Sequence, residues 1–433
     1  MAESYDIAKV MLWGQLVGAL AYNRETGESA FEYTQEWLAS GYDIAPLHMP
    51  LKKAVYTFNS LPEETYKGLP AIFADTLPDD FGNAVINAWL AREGRSSTSF
   101  TPLERLLYTG TRGMGALEYL PALNSEMARG STVALDSLLD VAQQVLDQRA
   151  GLREIIGDGQ DGILAMMQVG TSAGGARPKA VVGININRTE IRSGQADLPE
   201  GFEHYLLKFD GVVEHSAGEQ TFGDPLGFGR MEYAYYKMAT AAGISMSHCE
   251  LLEDGNLAHF MTKRFDRIGN SKLHYQSLCA MDHADYKQPG MYSYEQLFQV
   301  MRQLKMSRPA ALEMYRRMVF NIVARNHDDH TKNFGFIMGN DGVWRLAPAF
   351  DVAYSYRPDS RWVNSHQLSL NGKRDNFTLE DLMAPAATFK KDAKAIIDEV
   401  MESVAKWAHF ARDAGVDQAF TGEIGKHHRL SLK

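Results

Sequence analysis

Cysteine is almost absent from this chain. Two thiols, Cys249 and Cys279, in 433 residues cannot build a disulfide framework or a four-thiolate zinc site, and the expected setting is a reducing compartment, the cytoplasm. Long apolar runs are missing too. No stretch of 18 apolar residues occurs, so no membrane span is expected. The opening MAESYDIAKVMLWGQLVGALAY has Glu3 and Asp6 where an export signal needs Lys or Arg, and Lys9, Gly14 and Gln15 break its apolar run. Positive charge is not in excess: 44 Lys and Arg against 54 Asp and Glu leave −10, which disfavours broad nucleic-acid binding by the chain alone. Two local basic stretches stand out, Lys390, Lys391 and Lys394 in FKKDAK and the tail GKHHRLSLK; they read as a solvated face and a frayed end. Internal repeats and low-complexity linkers are lacking. What remains is an ordinary globular composition, 45% hydrophobic and 23% charged, long enough for two or three structural units.

The pattern along the chain is mixed. Residues 1–60 read as short strands and a helix, with MLWGQLVGALAY a hairpin turning at its Gly and Gln. Residues 134–156 carry Leu135, Leu138, Leu139, Val141 and Val145 near one helical face, and a boundary is placed near 150. ARPKAVVGINI and HYLLKFD read as strands, and GVVEHSAGEQTFGDPLGFG as loop. MEYAYYKMATAAG reads as a helix stopped by Gly243, and CELLEDGNLAHFMTKRFDR as a hairpin turning at EDGN. Helices dominate after Arg267. In AALEMYRRMVFNIVARN, Leu312, Tyr315, Val319 and Ile322 make one buried stripe.

That helix runs into DDHTKN, a crowd of polar groups before a strand. Three readings are open: a solvated loop, a metal-dependent phosphohydrolase site built on His327 and Asp328 with His283 as a further ligand, and a phosphoryl-transfer loop. The segment that follows separates them. FGFIM, the turn GNDG and VWRLA form a hairpin whose strands run about 16 Å out and back at roughly 3.3 Å per residue, returning Asp351 toward Asn333. Asn333 and Asp351 then offer hard oxygen ligands suited to magnesium. Asp328 is placed to take a proton from a hydroxyl. This is the order of parts in a protein-kinase active site.

Upstream residues extend the kinase reading. GTSAGGARPKA has Gly174 and Gly175, whose backbone can approach phosphate closely, although neither GxGxxG nor the Walker pattern is present. Lys208 lies among apolar strand neighbours and needs an anionic partner, with Glu232 on the next helix a candidate. A snorkelling edge lysine is the plainer alternative for Lys208, and a flexible loop for the glycines.

DDHTKNFGF followed by APAFD resembles the catalytic and metal-binding segments of HipA, the serine/threonine-kinase toxin of bacterial toxin–antitoxin pairs. LWGQLVGALAY, FADTLPDDFGNAVI, TGTRGMGALEYLPA, TSAGGARPKA, HYLLKFD and TKRFDR resemble HipA segments in the same order; after 375 the match fades. The resemblance implies an α+β, bilobal, protein-kinase-like fold: an extra N-terminal subdomain (1–150), a nucleotide-binding lobe (151–265) and a mostly helical C-terminal lobe (266–433). It implies ATP and Mg2+ as cofactors, Asp328 as base, Asn333 and Asp351 as metal ligands, and His330 and Lys332 beside the transferring phosphate. Lys208 would touch the ATP phosphates, and the turn of Gly174, Gly175, Ala176, Arg177, Pro178 and Lys179 would cover them, with no individual role for Arg177 and Pro178. Lys263, Arg264 and Phe265 would form the adenine hinge, and Phe350 would flank the nucleotide. Ser172 takes the place of the serine whose autophosphorylation silences HipA proteins. Implied partners are a dimeric HipB-like antitoxin, operator DNA held mainly through that antitoxin, and a protein substrate from translation, glutamyl-tRNA synthetase being the known type. A catalytically silent co-repressor or binding module is the alternative. Asn326–His327–Asp328 replaces the eukaryotic HRD triplet, and Phe350–Asp351–Val352 replaces DFG. The Asp-x-His-x-x-Asn pattern is shared with phosphoinositide kinases, but no basic amphipathic helix accompanies it.

Overall fold

Trp13 and Gly14 both take positive φ, 49° and 76°, and this primed two-residue turn closes the first hairpin, β1 (Ile7–Leu12) against β2 (Gln15–Asn23). The glycine carries the conformation without strain, and the tryptophan is tied down by its indole N–H, which donates to the Lys272 carbonyl at 2.8 Å. In this computed structural model the description covers residues 6–92, 94–123, 135, 138, 139, 142, 143, 178–212 and 226–432. The chain divides into two compact units. One takes in residues up to 45, 49–229 and 252–275; the other takes in 46–48, 230–251 and 276–433.

The first unit holds two five-stranded sheets. With β3 (Glu28–Tyr33), β4 (Val55–Thr57) and β5 (Leu117–Leu120), the first hairpin forms a sheet ordered β4-β3-β2-β1-β5. Alternation in β1 and β3 puts Ala8, Val10, Leu12 and Phe31 inside. The second sheet is ordered β7-β6-β8-β10-β9, from β6 (Lys179–Asn185), β7 (Ile191–Ser193), β8 (Phe202–Lys208), β9 (Cys249–Asp254) and β10 (Leu257–Lys263). Ala180, Val182, Ile184, Tyr205, Leu207 and Phe209 share one core with Phe81, Val85 and Ile86 of helix α1 (Asp80–Arg92). The β9–β10 turn falls at Gly255, φ 56°, as EDGN predicts. Leu135, Leu138, Leu139, Ala142 and Gln143 are helical, with Leu138 and Ala142 buried; the remainder of the 134–156 helix and the expected boundary near 150 lie outside the described residues, as does most of the 211–229 loop.

In the second unit α2 (Phe228–Ala241) starts three residues before the periodicity places it and stops before Gly243, φ 84°. Residues 230–251 cluster with this unit, not with the nucleotide-binding lobe where the sequence puts them. The cause is packing: Tyr235 meets Phe320 and Trp407 at centroid distances of 6.3 and 5.2 Å, and the Ser403 hydroxyl donates to the Met238 carbonyl. Helix α3 (Arg308–Val323) is capped by Ser307 and buries Tyr315, Val319 and Ile322 as the stripe predicts. The hairpin β11 (Gly335–Met338) and β12 (Trp344–Leu346) follows in register Phe336 to Leu346 and Met338 to Trp344. Lys390, Lys391 and Lys394 are exposed on the helix Lys390–Ala405. The tail is not frayed. The Arg429 amide donates to the Val323 carbonyl at 2.9 Å, and the Arg325 side chain donates to the His427 carbonyl at 2.8 Å. Among the described residues no helix is long and apolar enough to cross a membrane.

A buried charge holds the first unit together. Asp266, fully buried, accepts from Arg264, Arg267 and the Gly115 amide, while both guanidiniums donate to the Gly113 carbonyl. The paired arginines keep the Asp266 carboxyl well below the usual range despite its burial. This knot joins the TGTRGMG segment to the strand-end TKRFDR. Asp266→Ala should cost about 3–5 kcal/mol in denaturant unfolding, because it leaves two guanidiniums buried without their anion.

Candidate active site

The end of α3 sets the loop. Its last residue, Val323, is followed by the cap residue Ala324 and then by Arg325 at φ 59°, and the Asn326 amide donates back to the Asn321 carbonyl, a Schellman-type closure with arginine in place of glycine. The next residues alternate in burial. His327 is buried, Asp328 is half exposed, Asp329 is buried and His330 is partly exposed. The Asp328 amide donates to the Ser355 hydroxyl, which donates to Asn326 Oδ1, so the backbone of this residue is fixed while its carboxylate faces outward.

Asp329 and His327, which the sequence leaves without a role, anchor the loop. Asp329 accepts from the Tyr294 hydroxyl at 2.7 Å, from the Gln367 amide at 2.7 Å and pairs with His366 Nδ1 at 2.8 Å. His327 Nδ1 lies 3.1 Å from the Val363 carbonyl and its ring packs on His366 and Tyr356. Burial keeps the His327 imidazole neutral, and His366 and Arg429 push the same way.

Asn333 Nδ2 donates to the Asp328 carbonyl at 2.8 Å, which leaves Oδ1 as the end of the amide outside that bond. The hairpin register brings the Ala347 amide onto the Gly335 carbonyl, so the chain returns to the Asn333 end with Phe350 and Asp351 following. Asp351 takes φ 52°, an uncommon and strained conformation for a residue with a side chain. His330 Nε2 is 3.8 Å from Asp328 Oδ1. Tyr286 lies against both side chains: its ring is 5.5 Å from that of His330 and 4.9 Å from Lys332 Nζ. One amide oxygen and one carboxylate at the base of a hairpin fit the donor set that Mg2+ requires.

His283, the further ligand of the phosphohydrolase reading, is engaged elsewhere. It stacks on His48 at 3.8 Å, and burial together with His48 lowers its pKa to about 4. Among the described residues no group of three His, Cys, Asp or Glu side chains is gathered to hold a metal.

In the other unit the two candidate phosphate lysines are direct cross-strand partners, Lys179 on β6 opposite Lys208 on β8, and both are buried. Like charges opposite each other are unfavourable unless anions answer them. Asp79, in LPDDFG, supplies one: its Oδ2 is 3.3 Å from Lys179 Nζ and its Oδ1 accepts from the Gly82 amide. Lys208 Nζ lies 5.7 Å from the centre of the Phe260 ring. Asp79 escaped the sequence reading, although its segment is one of those that carry the resemblance. Ser172, Gly174, Gly175, Ala176 and Arg177 lie outside the described residues; Pro178 is buried at the head of β6 and its carbonyl accepts from the Phe209 amide. The hinge candidates are partly committed. Lys263 pairs with Glu203, the Arg264 side chain belongs to the Asp266 knot, and the Arg264 amide donates to the His204 carbonyl, so its backbone N–H is engaged. Phe265 packs against Tyr275 at 5.6 Å.

Residues 171–408 match the model of the HipA-like C-terminal domain, and residues 8–120 match that of the HipA N-terminal domain. The chain belongs to the HipA family. Among curated HipA-like relatives is the "Putative kinase Y4mE" of Sinorhizobium fredii, 24% identical over 442 aligned positions that span 94% of this chain and 93% of the relative. The HipA of Shewanella oneidensis, solved with HipB and its operator DNA, superposes with a TM-score of 0.66 over 97% of this chain and 95% of its own, at 16% identity. The fold is therefore that of HipA, α+β and kinase-like, with antiparallel sheets in the first unit and helices prevailing in the second.

Burial pushes the Asp79 carboxyl up from 3.8 to about 6 against the opposing pull of Lys179. A carboxyl raised in the folded state draws protons into that state, so its contribution is present at low pH and is lost as pH rises from 3.8 toward 6. Denaturant unfolding across that window should show the natural chain losing stability relative to Asp79→Asn.

Proposed function

We propose that this chain is an ATP- and Mg2+-dependent serine/threonine protein kinase of the HipA type, acting as the toxin of a toxin–antitoxin pair. The observation that carries the reading is the half-exposed Asp328 on an anchored loop, with Asn333 tied to its carbonyl and Asp351 brought back by the hairpin, in a chain of the HipA family. Asp328 accepts the proton of the substrate hydroxyl as it attacks the terminal phosphate of ATP, and is the one loop carboxylate with the exposure this needs. Asn333 and Asp351 would hold Mg2+, which when bound offsets phosphate charge. Lys332 and His330, braced by Tyr286, face the transferring group, and Lys332 stabilises the charge that builds there. Lys208 and Lys179 bind the phosphates, with Asp79 holding Lys179 until they arrive. The turn of residues 174–179 covers the nucleotide, Lys263, Arg264 and Phe265 form the hinge through backbone groups, and Phe350 flanks it.

The finer reading follows the family. A dimeric HipB-like antitoxin is the partner, and an acidic chain of net charge −10 leaves most operator contacts to it in co-repression. The protein substrate belongs to translation, of the glutamyl-tRNA synthetase type, and the setting is cytoplasmic. Ser172 is the autophosphorylation site. A phosphate there adds roughly −1.5 to −2 charge in the loop that must receive ATP and so silences the enzyme.

Phosphotransfer from ATP decides the assignment. Asp328→Asn and Asp351→Asn should each lower it at least roughly 100-fold, the lower end of the range for loss of a general base and of the scale set by charge stabilisation. Full activity in either variant sinks the reading, and nucleotide binding without transfer to any protein favours the silent co-repressor. After incubation with ATP the natural chain should carry one phosphate on Ser172 and lose its transfer activity, seen as an intact-mass decrease of one phosphate after phosphatase treatment and absent in Ser172→Ala and Asp328→Asn.

A further inference from the structure

We infer that residues 427–429 form a clip that positions the catalytic loop, with Arg429 its principal positioning residue; the inference rests on the kinase reading of Asp328 and Asp351. The helix Gln418–His427 ends at this segment, which then runs extended across the end of α3. Helix ends carry backbone carbonyls without intrahelical partners. Here the Arg429 amide satisfies the Val323 carbonyl at 2.9 Å, and the Tyr235 hydroxyl, itself 3.0 Å from His428 Nε2, satisfies that of Ala324 at 2.7 Å. Both carbonyls lie within five residues of Asp328.

Side chains of the clip reach both halves of the site. On one side Arg325, the left-handed residue that turns the chain toward Asp328, donates to the His427 carbonyl at 2.8 Å and lies 3.5 Å from Asp375. Arg429 forms an ion pair with the same Asp375 and approaches His366 Nε2 at 3.5 Å. His366 passes the contact on to Asp329, next in sequence to Asp328. On the other side His427 Nδ1 pairs with the Tyr354 hydroxyl at 2.7 Å. Tyr354 stands three residues after Asp351, and its neighbour Ser355 accepts from the Asp328 amide. One short segment thus fixes the backbone before the base and the backbone after the metal-ligand carboxylate. None of its side chains needs to touch substrate. Two arginines share one carboxylate here, so removing one changes the position of the other as well as the local charge.

The full-length chain with Arg429→Ala, Arg429→Lys or Asp375→Asn tests the clip by three measurements: the single-turnover rate of phosphate transfer from ATP into the chain's own residues, the Kd for ATP, and deuterium uptake of the amides of residues 324–333 without nucleotide. Arg429→Ala should slow transfer roughly 10- to 100-fold, the scale for a loop displaced by about an ångström, while the Kd for ATP stays within about twofold. Uptake over 324–333 should rise in Arg429→Ala and in Asp375→Asn without a rise in the first unit. Arg429→Lys, which keeps the charge opposite Asp375, should recover part of the rate. Unchanged transfer and uptake in Arg429→Ala overturn the clip, and so does a loss of rate matched by an equal loss of ATP binding. If the natural chain transfers no phosphate, the kinase reading fails while uptake still decides the clip. Should Arg429→Ala not fold, Asp375→Asn decides by the same measurements.

Discussion

A carboxylate removed from water must be given partners, and in each unit one such carboxylate sits at a joint between segments remote in the chain. Asp266 is held by two guanidiniums and an amide, and Asp329 by a tyrosine hydroxyl, an amide and a histidine. Neither is placed to react, since every oxygen is already occupied. Their role is to make one backbone conformation much cheaper than its competitors, because any other arrangement leaves an ion buried alone. In the first unit the result is a fixed joint between TGTRGMG and TKRFDR. In the second it is a loop whose next residue back, Asp328, can stay half exposed without becoming mobile.

The same logic separates the jobs within DDHTKN. Two adjacent aspartates share a chemistry and differ in environment: Asp329 is structural because it is buried and satisfied, and Asp328 is available because it is neither. His327 packs among rings, and burial keeps it uncharged, so it adds no positive charge behind Asp328. Asn333 uses its amide nitrogen on the Asp328 carbonyl, which links these two residues through one hydrogen bond.

Much of this was legible in the residues. The hairpins at 13–14, 255 and 339–343 were readable because turn residues and alternation act locally, over a few positions. The stripe of α3 and the strands around Lys179 and Lys208 were readable for the same reason. Three features were not. The docked tail looked frayed because its partners, Val323, Arg325, Asp375 and Tyr354, lie 54 to 106 residues earlier in the chain and carry no periodic signal. Asp79 carries no signal of its own in the sequence, and only its contact with Lys179, 100 residues away, reveals that it answers that buried charge. The division of the chain at 229 and 230 was hidden because a helix gives no sign in its own pattern of which neighbour will cover its buried face.

By itself, then, the sequence determined the local elements, the order of Asp328, Asn333 and Asp351 along a loop and a hairpin, and the family, all properties that depend on spacing of a few residues or on residue type. The tertiary structure decided which of two neighbouring aspartates is exposed, that Lys179 has Asp79 as an internal counter-ion, that the Arg264 amide is already engaged, and that the basic tail packs against the end of α3. Those decisions depend on burial and on contacts between segments remote in the chain, and the cost of an unpaired buried charge is what enforces them.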